Sequence, residues 1–155
     1  MADVHTKKQR SYNMSCIKSE SKQEIIFRKM LWHEGFRYRV NKKIQKTKPD
    51  ILLPKYNAAI FYHGCFFHFH ECKHFKMPSK DSKTDWATKL AKNHERDQRD
   101  IRTLRNAGWR VLIVWECSWR WKGRGRKSQA ECLEKVVERT IAWIRSTSKQ
   151  KTIEE

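Results

Sequence analysis

KPDILLPKYNAAIFYHG, residues 48 to 64, is the stretch from which the rest of the chain can be read. Two short apolar runs, Ile51 to Leu53 and Ala58 to Tyr62, are separated by a Pro/Asn turn. Apolar runs of this length bounded by turn residues predict two strands of a hairpin, which sets residue 50 beside residue 62. Upstream, Ser21-x-x-Glu24 has the form of a capping box, with Ile25, Ile26, Met30 and Leu31 at helical spacing and Gly35 placed to end the helix. FRYRV (36 to 40) alternates strictly, so Phe36, Tyr38 and Val40 are expected to face inward. Downstream, Asp85 to Ala107 reads as a helix with Trp86, Leu90, Ile101 and Leu104 roughly on one face and Gly108 as terminator. WRVLIVWEC (109 to 117) is the near-continuous apolar run expected of a strand covered on both faces. After a basic loop, WRWKGRGRK, Ser128-x-x-Glu131 opens a last amphipathic helix through Leu133, Val136, Val137, Ile141 and Ile144. The order predicts an α/β fold, a small mixed sheet flanked by helices.

The chain has 155 residues, enough for one domain with an ordinary core. The expected division is a basic arm over 1–20, a domain over 21–147 and a polar tail over 148–155. Thirty-five Lys and Arg against seventeen Asp and Glu give a formal charge of +18, which implies a polyanionic partner, nucleic acid before any other. No stretch approaches the roughly 20 apolar residues of a spanning helix, and the amino terminus has no apolar signal core. The expectation is therefore a soluble intracellular protein with no membrane partner. In a reducing compartment, clustered cysteines are better read as metal ligands than as disulfides.

The hairpin runs directly into such a cluster, HGCFFHFHEC, residues 63 to 72. Cys65, His70 and Cys72 supply three of the four donors that a tetrahedral Zn²⁺ site needs. Cys117, just past the long apolar strand, is a better fourth than His74. The alternative is that Cys65 and Cys72 are reduced core cysteines. His63 and His68 remain over, and imidazole can take a proton from an attacking water near neutral pH. Asp50 in Lys48-Pro49-Asp50 is an acid at the start of a strand, suited to a hard Mg²⁺ ion. Glu24 could orient water around such an ion, or serve only the capping box.

With these residues in view, the chain resembles the very short patch repair (Vsr-type) mismatch endonucleases. The likeness runs through RSYNMSCIKS (10 to 19), Glu24, GFRYRV, KPD, IFYHGCFFHFHEC, DWATKLAKNHERD and GWRVLIVWEC, most of residues 10 to 117. It implies a restriction-endonuclease-like core of the PD-(D/E)xK type. Where the general pattern has an acid, a spacer and a lysine on the second strand, this chain has Phe61, Tyr62 and His63. The resemblance therefore implies that the main-chain carbonyl of Tyr62 completes a Mg²⁺ site with Asp50. It makes His68 the general base, with His63 and Glu24 holding waters, and leaves Cys65, His70, Cys72 and Cys117 to a structural Zn²⁺. It also implies that Phe66, Phe67 and Trp86 wedge beside a mismatch, that Lys89 and Asn93 read the mismatched pair, and that Met14 and Ile17 lie in a minor-groove clamp. Phe67 stands where the family commonly has tryptophan.

The implied activity is a Mg²⁺-dependent nick 5′ of the thymine in T·G mismatches left by deamination of 5-methylcytosine. The substrate would be double-stranded DNA and the enzyme a monomer, in the bacterial cytoplasm at the nucleoid, with mismatch-repair proteins as candidate partners. Two alternatives use the same residues: a PD-(D/E)xK nuclease of restriction or defence acting on non-mismatched DNA, and a zinc-stabilised DNA-binding module without catalysis.

Overall fold

The computed structural model describes residues 21–77, 85–119 and 126–154, with positions 6, 8–9 and 11–12 ahead of them; for residues 126–128 it describes the backbone alone. Met14 and Ile17 of the basic arm lie outside the described residues, as does most of the basic loop after Trp119. Among the described residues from 21 onward, three helices and five strands follow in the order α1 (Lys22–His33), β1 (Arg39–Val40), β2 (Ile51–Leu53), β3 (Ala58–His63), α2 (Trp86–Asn106), β4 (Arg110–Trp115), α3 (Arg126–Arg145) and β5 (Gln150–Ile153). The strands form one mixed sheet in the spatial order β1-β2-β3-β4-β5. β1, β2 and β3 pair antiparallel, whereas β3, β4 and β5 pair parallel.

Local chemistry sets the boundaries. Ser21 Oγ accepts from the Glu24 amide at 3.1 Å and opens α1. Asp85 caps α2 through the Thr88 amide at 3.1 Å. Gly35 and Gly108, at φ +85° and +82°, supply the left-handed residue after α1 and α2. At the end of α3, the Arg110 guanidinium of β4 donates to the carbonyls of Ile144 and Trp143 and packs on the Trp143 ring. Orphan carbonyls of the last turn are thereby satisfied by a cation from the sheet.

Strand alternation sorts the core into two layers. Ile51, Leu53, Ala58, Ile60, Leu112, Val114 and Ile153 pack with Phe27 and Leu31 of α1 and with Val136, Trp143 and Ile144 of α3. The intervening Leu52, Ala59, Phe61, Val111 and Ile113 face Ile101 and Leu104 of α2. The sheet is thus covered on both sides, which explains why β4 reads as an unbroken apolar run.

Four expectations change. FRYRV contributes only the two-residue β1; Phe36 is buried and Tyr38 half-buried, but Val40 is exposed. On α1 the buried face is centred on Phe27 and Leu31, while Ile26 is 47% exposed. Helix α3 begins at Arg126, ahead of the capping box expected at Ser128. Residues 148–155, expected as a polar tail, contribute β5, with Ile153 fully buried opposite Val114.

Candidate active site and metal centre

The alternation that builds the core also delivers the site. Ala59, Phe61 and His63 share one face of β3, and the parallel register sets His63 level with Trp115 at the end of β4. Both therefore project on the side covered by α2. Beyond His63 the chain folds over itself, with the His68 amide bonded to the Gly64 carbonyl at 3.2 Å and the His70 amide to the Cys65 carbonyl at 2.9 Å. The fold brings His68 flat against His63, ring centroids 3.9 Å apart and planes within 5°. Phe69 then takes φ +52°, a left-handed conformation uncommon for an aromatic residue, and turns the chain between His68 and His70.

On the other side of the histidines, α2 presents Asp97, whose Oδ2 lies 2.6 Å from His68 Nδ1. A carboxylate on Nδ1 holds that nitrogen as the donor, so Nε2 carries the lone pair able to accept a proton. His63 is only 4% exposed, and burial, reinforced by repulsion from His68, pulls its pKa down to about 3. It is a neutral ring at physiological pH.

Asp50 joins this group from the start of β2. Its Oδ2 accepts from the Tyr62 amide at 2.7 Å, which leaves Oδ1 for another ligand. Burial raises the Asp50 carboxyl above its ordinary range, opposed by the Tyr62 amide and then by the charges of His68, Arg28 and Lys48. Arg28 also pairs with Glu24 at 3.5 Å, so the 6% exposed Glu24 enters the site's electrostatics through one guanidinium. The Tyr62 ring points into the other layer, 6.3 Å from both Phe27 and Trp119. Position 62 thus meets Asp50 through its backbone.

A second cluster lies across the Trp115 indole. The ligand atoms of Cys65, His70, Cys72 and Cys117 all fall within 4.8 Å of one another. Ligands of a tetrahedral zinc stand about 3.8 Å apart, given Zn–S bonds of ~2.3 Å, so this donor set fits such an ion. Cys117 sits in the short turn Glu116–Ser118 directly after β4, and its Sγ is 3.6 Å from His70 Nδ1. The Cys65 thiol is pushed well up by its hydrogen bond to Cys117 and by burial, so without a cation the proton stays on. Trp115 stacks on His70 at 4.1 Å and meets His63 edge-on at 5.1 Å, forming one wall of each cluster.

Of the residues expected to contact DNA, Phe66, Phe67, Trp86, Lys89 and Asn93 gather in one place. Phe66 packs edge-on against Phe67 at 5.2 Å and Trp86 at 5.1 Å, and Phe67 remains 55% exposed. Asn93 donates to the Phe67 carbonyl at 3.0 Å and accepts from Arg96 at 2.8 Å, while Lys89 lies over the Trp86 ring at 4.9 Å.

A family model described as DNA mismatch endonuclease Vsr matches residues 2–74. The chain is 41% identical over 145 residues to the DNA mismatch endonuclease Vsr of Escherichia coli, spanning 93% of this chain and 88% of that protein. The chain belongs to the Vsr mismatch-endonuclease family. Other relatives of this Vsr-family chain include the type II nicking enzyme V.NmeAIP of Neisseria meningitidis, 41% identical over 138 residues (88% of this chain, 92% of the relative). The type II nicking enzyme V.XorIIP of Xanthomonas oryzae is 36% identical over 119 residues, 76% of this chain and 86% of the relative.

Three residues of this Vsr-family site escaped the sequence reading. Asp97 stands among the alternating charges of HERDQRD, and nothing in that pattern marks it as the partner of a ring 29 positions earlier. Trp115 looked like one more apolar residue of a buried strand. Glu154, whose Oε2 lies 2.8 Å from His70 Nε2, fell in a segment taken for a tail.

Proposed function

We propose that this endonuclease nicks one strand of double-stranded DNA 5′ of the thymine in a T·G mismatch, using a Mg²⁺ ion at Asp50. The observation that carries the reading is the convergence of the Asp50 carboxylate, the His68 imidazole and its Asp97 partner at the open end of β3, beside an exposed aromatic edge.

His68 accepts a proton at Nε2 from the attacking water, and Asp97 stabilises the imidazolium that results. As the water oxygen bonds to phosphorus, the bond to the 3′ oxygen breaks; the leaving oxygen takes a proton from solvent, which gives a 5′ phosphate and a 3′ hydroxyl, and His68 later returns its proton to solvent. Mg²⁺, when bound, supplies positive charge to the scissile phosphate and the leaving 3′ oxygen. Asp50 Oδ1 and the Tyr62 carbonyl would hold it. A desolvated carboxylate with one oxygen already held by an amide is a donor that gains by meeting a hard cation. Neutral His63 backs the His68 ring, and together with Glu24 it would orient water around such an ion. Zn²⁺ at Cys65, His70, Cys72 and Cys117 has the structural role of fastening the turn that carries His68.

Phe66, Phe67 and Trp86 form the wedge, which opens a mismatched step more cheaply than a paired one. Lys89 and Asn93 beside it contact the mispair. The restriction-endonuclease-like core spans residues 21–147, extended by β5, with the arm ahead of it clamping the duplex.

A nicking assay on T·G and C·G duplexes, with Mg²⁺ and with EDTA, tests the proposal. The expected result is cleavage of the T·G duplex alone, lost with EDTA and in D50A and H68A, which still bind DNA. Equal cleavage of both duplexes would move the enzyme to a restriction or defence role.

A further inference from the structure

The imidazole of His70 is held from both sides, and only one side belongs to the thiol cluster. Its Nδ1 faces Cys117 Sγ at 3.6 Å. Its Nε2 faces Glu154 Oε2 at 2.8 Å. The sheet explains how a residue 84 positions away arrives there. β5 pairs in parallel with β4 and ends with Ile153 opposite Val114, so the next residue comes level with Trp115, the indole stacked on His70. Glu154 also completes the rim of the roughly 350 Å³ cavity over the cluster, alongside Glu71, Cys72, Lys73 and Cys117.

From this geometry we infer that Glu154 is the positioning residue of the metal centre: its carboxylate takes the Nε2–H of His70 and so commits the Nδ1 lone pair to the ion. A neutral imidazole has one hydrogen and two nitrogens, and the partner of one nitrogen decides which is left to ligate. A carboxylate at that place also makes the ring a stronger donor and fixes its plane, and loss of such partners typically lowers metal affinity about 10- to 100-fold. The same contact ties the carboxyl-terminal end of β5 to the turn that carries His68, so the ion fastens two segments. The inference rests on the proposed Zn²⁺ site.

Zinc-loaded full-length protein is titrated with a chromophoric chelator, and the concentration that extracts half the metal is compared across variants. E154A should yield its zinc at about 10- to 100-fold lower chelator. E154Q, which retains a carbonyl oxygen able to accept the Nε2–H, should fall between E154A and wild type. R139A separates orientation of the ring from anchoring of the strand, because Arg139 Nη1 holds the main-chain carbonyl of the same Glu154 at 3.5 Å. It should retain zinc as wild type does. Extraction of E154A at the wild-type concentration would overturn the role of Glu154, as would equal losses in E154A and R139A. A wild-type chain that retains no zinc would overturn the metal site itself, and this role with it.

Discussion

The role proposed for His68 depends on which of its nitrogens is engaged. The 2.6 Å contact from Nδ1 to Asp97 leaves Nε2 as the acceptor, and it is an arrangement a side-chain amide would disturb. D97N keeps the size of the group while weakening its hold on the ring, and it should lower the nicking rate by roughly 10²- to 10⁴-fold with little change in DNA affinity. Single-turnover nicking alongside a binding titration measures the two separately; an unchanged rate would make Asp97 a bystander. Phe67 gives a second residue-scale expectation. Because its ring is mostly exposed, F67A should fold normally and weaken binding of the mismatched duplex by about 1–3 kcal/mol, with a smaller effect on the matched one. Equal losses on both duplexes would argue against a wedge. The sequence displayed His63, Cys65, His68, His70 and Cys72 because they crowd into ten residues, and it hid Asp97 because a helix surface rich in charges gives no sign of which one turns inward.

At the scale of elements, the hairpin and β4 were legible because their apolar runs are bounded by turns, and α2 because its caps and periodicity agree. β5 was not, since a four-residue edge strand with one buried side chain carries almost no pattern. Nor was the brevity of β1, where alternation begins at Phe36, ahead of the first residue that has a partner on β2. The end of α3 depends on a long-range contact that no local reading supplies. R110A removes a fork that meets two α3 carbonyls and the Ser148 carbonyl, and should lower unfolding stability by about 1.5–3 kcal/mol in urea. R110K should recover only part of it, since a single ammonium cannot reproduce the planar fork. A full recovery would mean that charge alone closes the helix.

Across the whole molecule, the formal charge of +18 makes phosphate contact the largest sequence-independent contribution to binding. Lys92, Arg96 and Arg99 lie exposed along one side of α2, next to the aromatic edge. Affinity should fall linearly on a log–log plot against salt, and K92A should reduce the slope by about 1 if Lys92 meets a phosphate. An unaltered slope would direct the duplex to another surface. Removal of the proposed Zn²⁺ would act on the same scale. Chelation should speed hydrogen exchange at the amides of His68 and His70 while those of β4 stay protected; uniform loss of protection would instead make the ion part of the global fold.

The chain reversal from Gly64 to Cys72 finally sets a limit on how the gene can drift. His68 must land on His63 while Cys65 and His70, on either side of it, stay in reach of Cys117, and the left-handed Phe69 turns the chain between His68 and His70. A different side chain at exposed Glu71 leaves that spacing intact. A codon gained or lost between Cys65 and His70 would throw one partner out of step with the other.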